Sequence, residues 1–161
     1  TRLRKLGDAE QALDAIVLAR AGLQRLGREA EAGATLDLER FVPAPGQGIL
    51  ALQGRDDDER TSAAVTAITD NDTFACLRAE RALARELGAS CHTPLGVHAA
   101  PVGCGCLHLR AWVGLPDGSE WVSDELLGGF YHPEELGRRV AERLRSVGAG
   151  ELLRRAEELA A

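Results

Sequence analysis

The chain has 161 residues, 45% apolar and 27% charged, with 18 glycines, 6 prolines and a net charge of −6. That mixture buries a core and excludes a disordered tail or a collagen-like repeat. With no apolar run of membrane-spanning length and no opening basic-then-apolar segment, it predicts a soluble, cytoplasmic protein without a membrane partner. There is no methionine and residue 1 is Thr, which predicts a piece of a longer chain.

Residues 1–30 carry six basic side chains (Arg2, Arg4, Lys5, Arg20, Arg25 and Arg28) against four acids, so the remainder is the acidic part. A general nucleic-acid surface needs a broad basic excess to displace phosphate counterions, and none is present. A local site for small anions near the N-terminus fits better. Of the 19 basic residues all but Lys5 are Arg, whose planar fork suits carboxylates better than an ammonium does.

In chain order, residues 8–13 predict a short helix. Ala15-Ile16-Val17-Leu18-Ala19 predicts a strand buried on both faces, and 21–26 a second short helix stopped by Gly27. Helix, buried strand and helix form a fragment of an α/β layer with a parallel sheet. Phe41–Gly48 holds two prolines and two glycines and breaks regular structure. Ile49–Leu52 then predicts a strand beyond a crossing between domains. Asp56 predicts a helix cap with Asp57, Asp58 and Glu59 in the first turn, and Ala64, Val65 and Ile68 on the apolar side. A further helix is expected from a cap near Asp70–Asp72, with Cys76, Ala79, Leu83 and Leu87 on one face.

Leu107–Val113 alternates apolar and polar at the strand period, Pro116-Asp117-Gly118 is a turn, and Trp121-Val122 starts the returning strand. Pro133 suits a helix first turn, and Leu136, Val140, Leu144 and Val147 form its stripe until Gly148. Leu152, Leu153, Ala156 and Leu159 mark the last helix. The fold class expected is an α+β C-terminal domain, a small antiparallel sheet with helices on one side, preceded by a fragment of an α/β domain. The boundaries expected are 1–42 for the α/β part, 43–66 for a hinge and returning strand, and 67–161 for the α+β domain.

The four cysteines, Cys76, Cys91, Cys104 and Cys106, read as thiols rather than a disulfide framework. Cys104-Gly105-Cys106-Leu107-His108 is a weak zinc pattern, because paired ligands are usually spaced more widely and a fourth is needed. No metal is expected. Cys91 differs from Cys76: it sits among small residues just past a helix end at Gly88, on a loop stiffened by Pro94, so its sulfur is accessible to an electrophile. His92 beside it reads as a bystander.

Glu80-Arg81-Ala82-Leu83, followed by small residues and Cys91-His92-Thr93-Pro94-Leu95-Gly96, resembles the cofactor-attachment signature of the porphobilinogen deaminase (hydroxymethylbilane synthase) family. Thr1–Leu6, Asp14–Ala19 and Ala21–Gly27 are similar to its second domain, Pro43-Ala44-Pro45-Gly46-Gln47-Gly48 to its interdomain segment, and Gly114–Gly118 to a hairpin of its third. The family commonly has two glycines before the cysteine, where this chain has Ala89-Ser90.

The resemblance implies a dipyrromethane cofactor held by a thioether to Cys91. It implies successive addition of four porphobilinogen units with loss of ammonia, and release of hydroxymethylbilane by hydrolysis. Arg2 and Arg25 match family arginines that bind the acetate and propionate groups, and Gln47 is a candidate cofactor contact. The family's catalytic aspartate has no counterpart here, since Asp56, Asp57 and Asp58 read as a helix start. It is expected upstream of residue 1, in a missing N-terminal domain, which leaves this portion inactive by itself and a monomer when full length. The α/β fragment would then be periplasmic-binding-like, and the competing reading is a non-catalytic anion-binding module of that ancestry.

Overall fold

A computed structural model describes residues 2–160; Thr1 and Ala161, at the ends of the expected first and last domains, lie outside the described residues. Two compact units form, Thr1–Asp37 and Leu38–Ala161.

In the first unit the charged run at the start winds into α1 (Arg2–Leu6), followed by a 3₁₀ turn at Ala9–Gln11 whose cap is the Asp8 carboxylate. The second helix, α2 (Arg20–Arg25), stops at Gly27 as its sequence predicts: the Arg28 N–H returns to the Leu23 carbonyl at 2.9 Å. A 3₁₀ turn at Glu29–Glu31 follows, tied back to α2 because Glu29 accepts from both Arg20 and Gln24. The strand expected at Ala15–Ala19 does not form. The run has no ladder partner among the described residues, and a strand exists only through a neighbour's N–H and C=O groups. The run still alternates, with Ile16 and Leu18 half-buried and Val17 exposed.

The second unit opens on Leu38–Asp58 without regular structure, so the strand expected at Ile49–Leu52 is also absent, and Leu50 and Leu52 are exposed. Helix α3 (Glu59–Ile68) is capped by Asp58 rather than Asp56. Asp58 lies three residues before Thr61, so its two oxygens accept both the Thr61 N–H at 3.0 Å and the Thr61 hydroxyl at 2.7 Å. The apolar side expected of α3 is not buried: Val65 is half-covered, and Ala64 and Ile68 are exposed. Helix α4 (Asn71–Glu86) is capped by Asp70 and buries Ala75, Cys76, Ala79, Ala82 and Leu83.

Strands β1 (Leu95–Pro101), β2 (Cys106–Gly114) and β3 (Trp121–Gly129) form an antiparallel sheet in the order β1-β2-β3, with Val97 opposite Ala111 and Leu109 opposite Leu126. The alternation in β2 puts Leu107, Leu109, Ala111 and Val113 in one fully buried row. That row joins a single core with α4, α5 (Pro133–Ser146) and α6 (Ala149–Ala160). Pro133 occupies the first turn of α5, and the helix buries Leu136, Val140 and Leu144. Val147 and Leu159, expected on the stripes, are exposed: each lies past the last buried residue of its helix, Leu144 in α5 and Ala156 in α6. Helices α4 and α5 approach until Gly137 lies against α4 backbone: a Cβ there would sit 2.3 Å from the Ala79 carbonyl oxygen. Among the described residues no helix is long and apolar enough to cross a membrane.

Candidate functional site

Helix α4 ends in a paired set of hydrogen bonds, Gly88 N–H to the Arg85 carbonyl and Ala89 N–H to the Ala84 carbonyl, which turns the chain sharply out of the helix. The next four residues form a turn closed from the Thr93 N–H to the Ser90 carbonyl at 3.2 Å. Cys91 and His92 are its corners. Side chains brace it: the Thr93 hydroxyl accepts the Ser90 N–H at 2.8 Å, and the Ser90 hydroxyl accepts the His92 N–H at 3.3 Å. Two glycines before the cysteine could not supply that second bond. Pro94 and Leu95 then lead into β1. The Cys91 sulfur is therefore exposed at the tip of a fixed turn, free of any disulfide.

Cys76 is its opposite. It faces the core from α4, and burial, helped by the nearby Glu80 and Asp72 charges, pushes its thiol up from 9.0 to about 11. It stays protonated near neutrality. Cys104, exposed, lies on the β1–β2 connection and Cys106, half-buried, opens β2; both are free. No group of three or more His, Cys, Asp or Glu side chains suited to a metal ion occurs among the described residues.

Pro43–Gly48 forms two overlapping turns. Gln47 N–H returns to the Ala44 carbonyl at 3.0 Å and Ile49 N–H to the Gly46 carbonyl at 3.1 Å. Pro45 presets the second position of the first turn, and Gly46 and Gly48 hold the third positions with φ of +71° and +85°, a conformation that side chains resist. Gln47 stands exposed between them. The segment is fastened to the sheet: Val97 N–H donates to the Pro43 carbonyl at 2.7 Å, which caps the open edge of β1.

A residue to which sequence reasoning gave no role does the rest. Glu80 is 4% exposed, and its two oxygens accept the Gly46 N–H at 2.8 Å and the Ala99 N–H at 2.9 Å, with His98 Nδ1 3.9 Å away. The signal was present: Glu80 follows Cys76 by four residues and precedes Leu83 by three, so it lies inside the buried stripe of α4. A carboxylate there needs donors to replace water, and the two backbone amides provide them.

In the first unit, Arg2 opens α1 and Arg25 closes α2, both exposed. Neither has a hydrogen-bond or ion-pair partner among the described residues, whereas Arg20 and Arg28 are engaged by Glu29 and Glu31. Both guanidinium groups can receive a carboxylate without breaking an existing pair.

Residues 1–63 match a family model described as porphobilinogen deaminase, dipyromethane cofactor binding domain, and residues 74–146 match one described as porphobilinogen deaminase, C-terminal domain. The chain belongs to the porphobilinogen deaminase family. Arg2, Arg25 and Gln47 fall within the span of the first model and Cys91 within that of the second. Among curated relatives, the porphobilinogen deaminase of Thiobacillus denitrificans is 41% identical over 153 residues, 95% of this chain and 49% of its own length. Those of Xanthomonas euvesicatoria and Chromobacterium violaceum are each 43% identical over the same 95% of the chain and cover 49% and 48% of their own lengths. The chain thus spans about half the length of the porphobilinogen deaminases it matches.

Proposed function

We propose that this chain is the cofactor-carrying part of a hydroxymethylbilane synthase, a transferase of tetrapyrrole (haem and porphyrin) biosynthesis. The full-length enzyme joins four porphobilinogen units into hydroxymethylbilane with loss of ammonia. The observation that carries this reading is Cys91: a free, exposed thiol held at the tip of a braced turn, in a chain matched by both family models.

When bound, the dipyrromethane supplies the primer on which the product is assembled. The chain's own residues do four things. Cys91 Sγ carries the thioether, and its turn keeps the sulfur at one place while the Ser90 and Thr93 hydroxyls occupy the turn's own amides. Arg2 and Arg25 take acetate and propionate groups in paired, charge-assisted hydrogen bonds, a role for which their unpaired state leaves them available. Gln47 contacts the cofactor from the double turn. The Pro-Gly segment within 43–66 acts as hinge and returning segment between an α/β part of periplasmic-binding-like ancestry, 1–42, and the α+β domain, 67–161. The carboxylate that assists ammonia loss and stabilises cationic pyrrole character comes from outside this chain, in a first domain that completes a cytoplasmic monomer. The chain alone makes no bilane.

Intact mass of the full-length protein tests the reading. The expected result is a mass excess equal to one dipyrromethane, absent from Cys91→Ser. An unmodified wild-type mass, with the thiol free, overturns it. The unpaired arginines also suit a non-catalytic anion-binding module, and that reading predicts the unmodified mass.

A further inference from the structure

We propose that Glu80 is a positioning residue for Gln47, acting through the turn that carries it; this rests on the functional reading above. A carboxylate on a helix face almost always reaches water, yet that of Glu80 is enclosed and commits one oxygen to each of two chain segments far apart in sequence. The Ala99 N–H belongs to β1, a fixed element of the core. The Gly46 N–H belongs to the double turn, whose backbone has no ladder of its own.

Gly46 is the hydrogen-bond acceptor of the second turn, through its carbonyl to Ile49, and the third residue of the first. The bond that Gly46 N–H donates to Glu80 therefore fixes the first of the two residues the turns share, immediately before the second, Gln47. Two further contacts align the same segment: Pro43 on Val97, and the Val42 carbonyl so close to Gly96 that a Cβ there would lie 2.7 Å away. These hold residues 42 and 43 but not the corner. Glu80 is what carries the rigidity of α4 and β1 across to Gln47. Because α4 also ends in the Cys91 turn, one helix sets both the anchor sulfur and the backbone that bears the candidate cofactor contact.

The test begins with amide exchange followed by NMR on the 161-residue chain. Glu80→Gln keeps the shape but turns an amide NH₂ toward one of two N–H donors, so one bond is lost. Whichever of the Gly46 and Ala99 amides faces the new NH₂ is expected to exchange about ten- to a hundredfold faster in Glu80→Gln than in wild type, with the Leu109 and Val140 amides unchanged. A wild-type Gly46 amide that exchanges as fast as an unbonded loop amide overturns the proposal, as do unchanged rates of both amides in the variant. If Glu80→Gln does not fold, Glu80→Asp, one methylene too short for the span, replaces it, and the wild-type rate still decides.

The second readout is kinetic, in the full-length enzyme. The loss of kcat/KM in a Glu80→Gln, Gln47→Ala double variant should be no larger than in Gln47→Ala alone. Additive losses mean that Glu80 is merely structural and overturn the positioning role. A wild-type mass without dipyrromethane refutes the functional reading itself, a result separate from either of these.

Discussion

At the scale of single residues, four thiols on one chain differ by surroundings rather than by chemistry. Cys91 is placed at a turn corner by hydrogen bonds that leave its sulfur in solvent, while Cys76 points from α4, the helix before that turn, into aliphatic packing. Brief treatment of the chain, free of cofactor, with iodoacetamide at pH 8 should alkylate Cys91 and Cys104 and leave Cys76 unmodified until denaturant is added; peptide mass mapping reads the outcome. Early labelling of Cys76 would mean that α4 is not docked. The raised thiol also makes a pH statement. The folded state keeps the Cys76 proton longer than the unfolded state does, so the associated stability is present below 9.0 and is lost as pH rises towards about 11. Cys76→Ala should flatten that part of the stability profile.

At the scale of elements, the residues that could be read from sequence are those whose environment is local. The cap of α4 at Asp70, the period-two row of β2, the turn at Pro116–Gly118 and the start of α5 at Pro133 depend on neighbours within a few positions. The strands expected at 15–19 and 49–52 fail for the converse reason: an apolar β-branched run states a preference, and only a paired backbone makes it a strand. The cap of α3 moved to Asp58 because four consecutive acids offer several starts, and only Asp58 has Thr61 three residues on. Of the candidate site, the exposure of Cys91 was legible from its small neighbours, whereas the hold of Glu80 on Gly46 joins residues 34 apart and has no local signature.

Gly137 belongs to this scale as well. It sits inside α5, where glycine is a poor helix former, and its value lies in the helix it faces. A Cβ would meet the Ala79 carbonyl oxygen at 2.3 Å, the Ala82 Cβ at 2.8 Å and the Leu83 nitrogen at 2.9 Å. Two of these three atoms are backbone, which cannot step aside as a side-chain tip does. Gly137→Ala should therefore destabilise by about 1–3 kcal/mol despite the better helix propensity of alanine, seen as a lower urea midpoint at unchanged slope. A variant as stable as wild type would show that α4 and α5 are less closely packed.

At the scale of the whole molecule, the two units differ in what holds them. Within 2–37 the described residues bury Leu23 alone among the apolar side chains, and α1 and α2 have 5 and 6 residues, too short to persist without packing. The second unit closes three helices and a sheet on one core. Hydrogen–deuterium exchange read by mass spectrometry should therefore show rapid uptake throughout 2–37 and slow uptake in β2 and α5 of the same molecules. Protection of 2–37 equal to that of β2 would contradict this. The difference bears on the functional reading, because Arg2 and Arg25 lie in the weakly held unit and Cys91 in the firm one. A ligand that binds only the ordered form of a weakly stable unit stabilises it by mass action. A soluble ligand bearing acetate and propionate groups that engages either arginine should therefore slow exchange in 2–37. Charge reversal by Arg25→Glu should remove most of that slowing while leaving exchange in β2 unchanged.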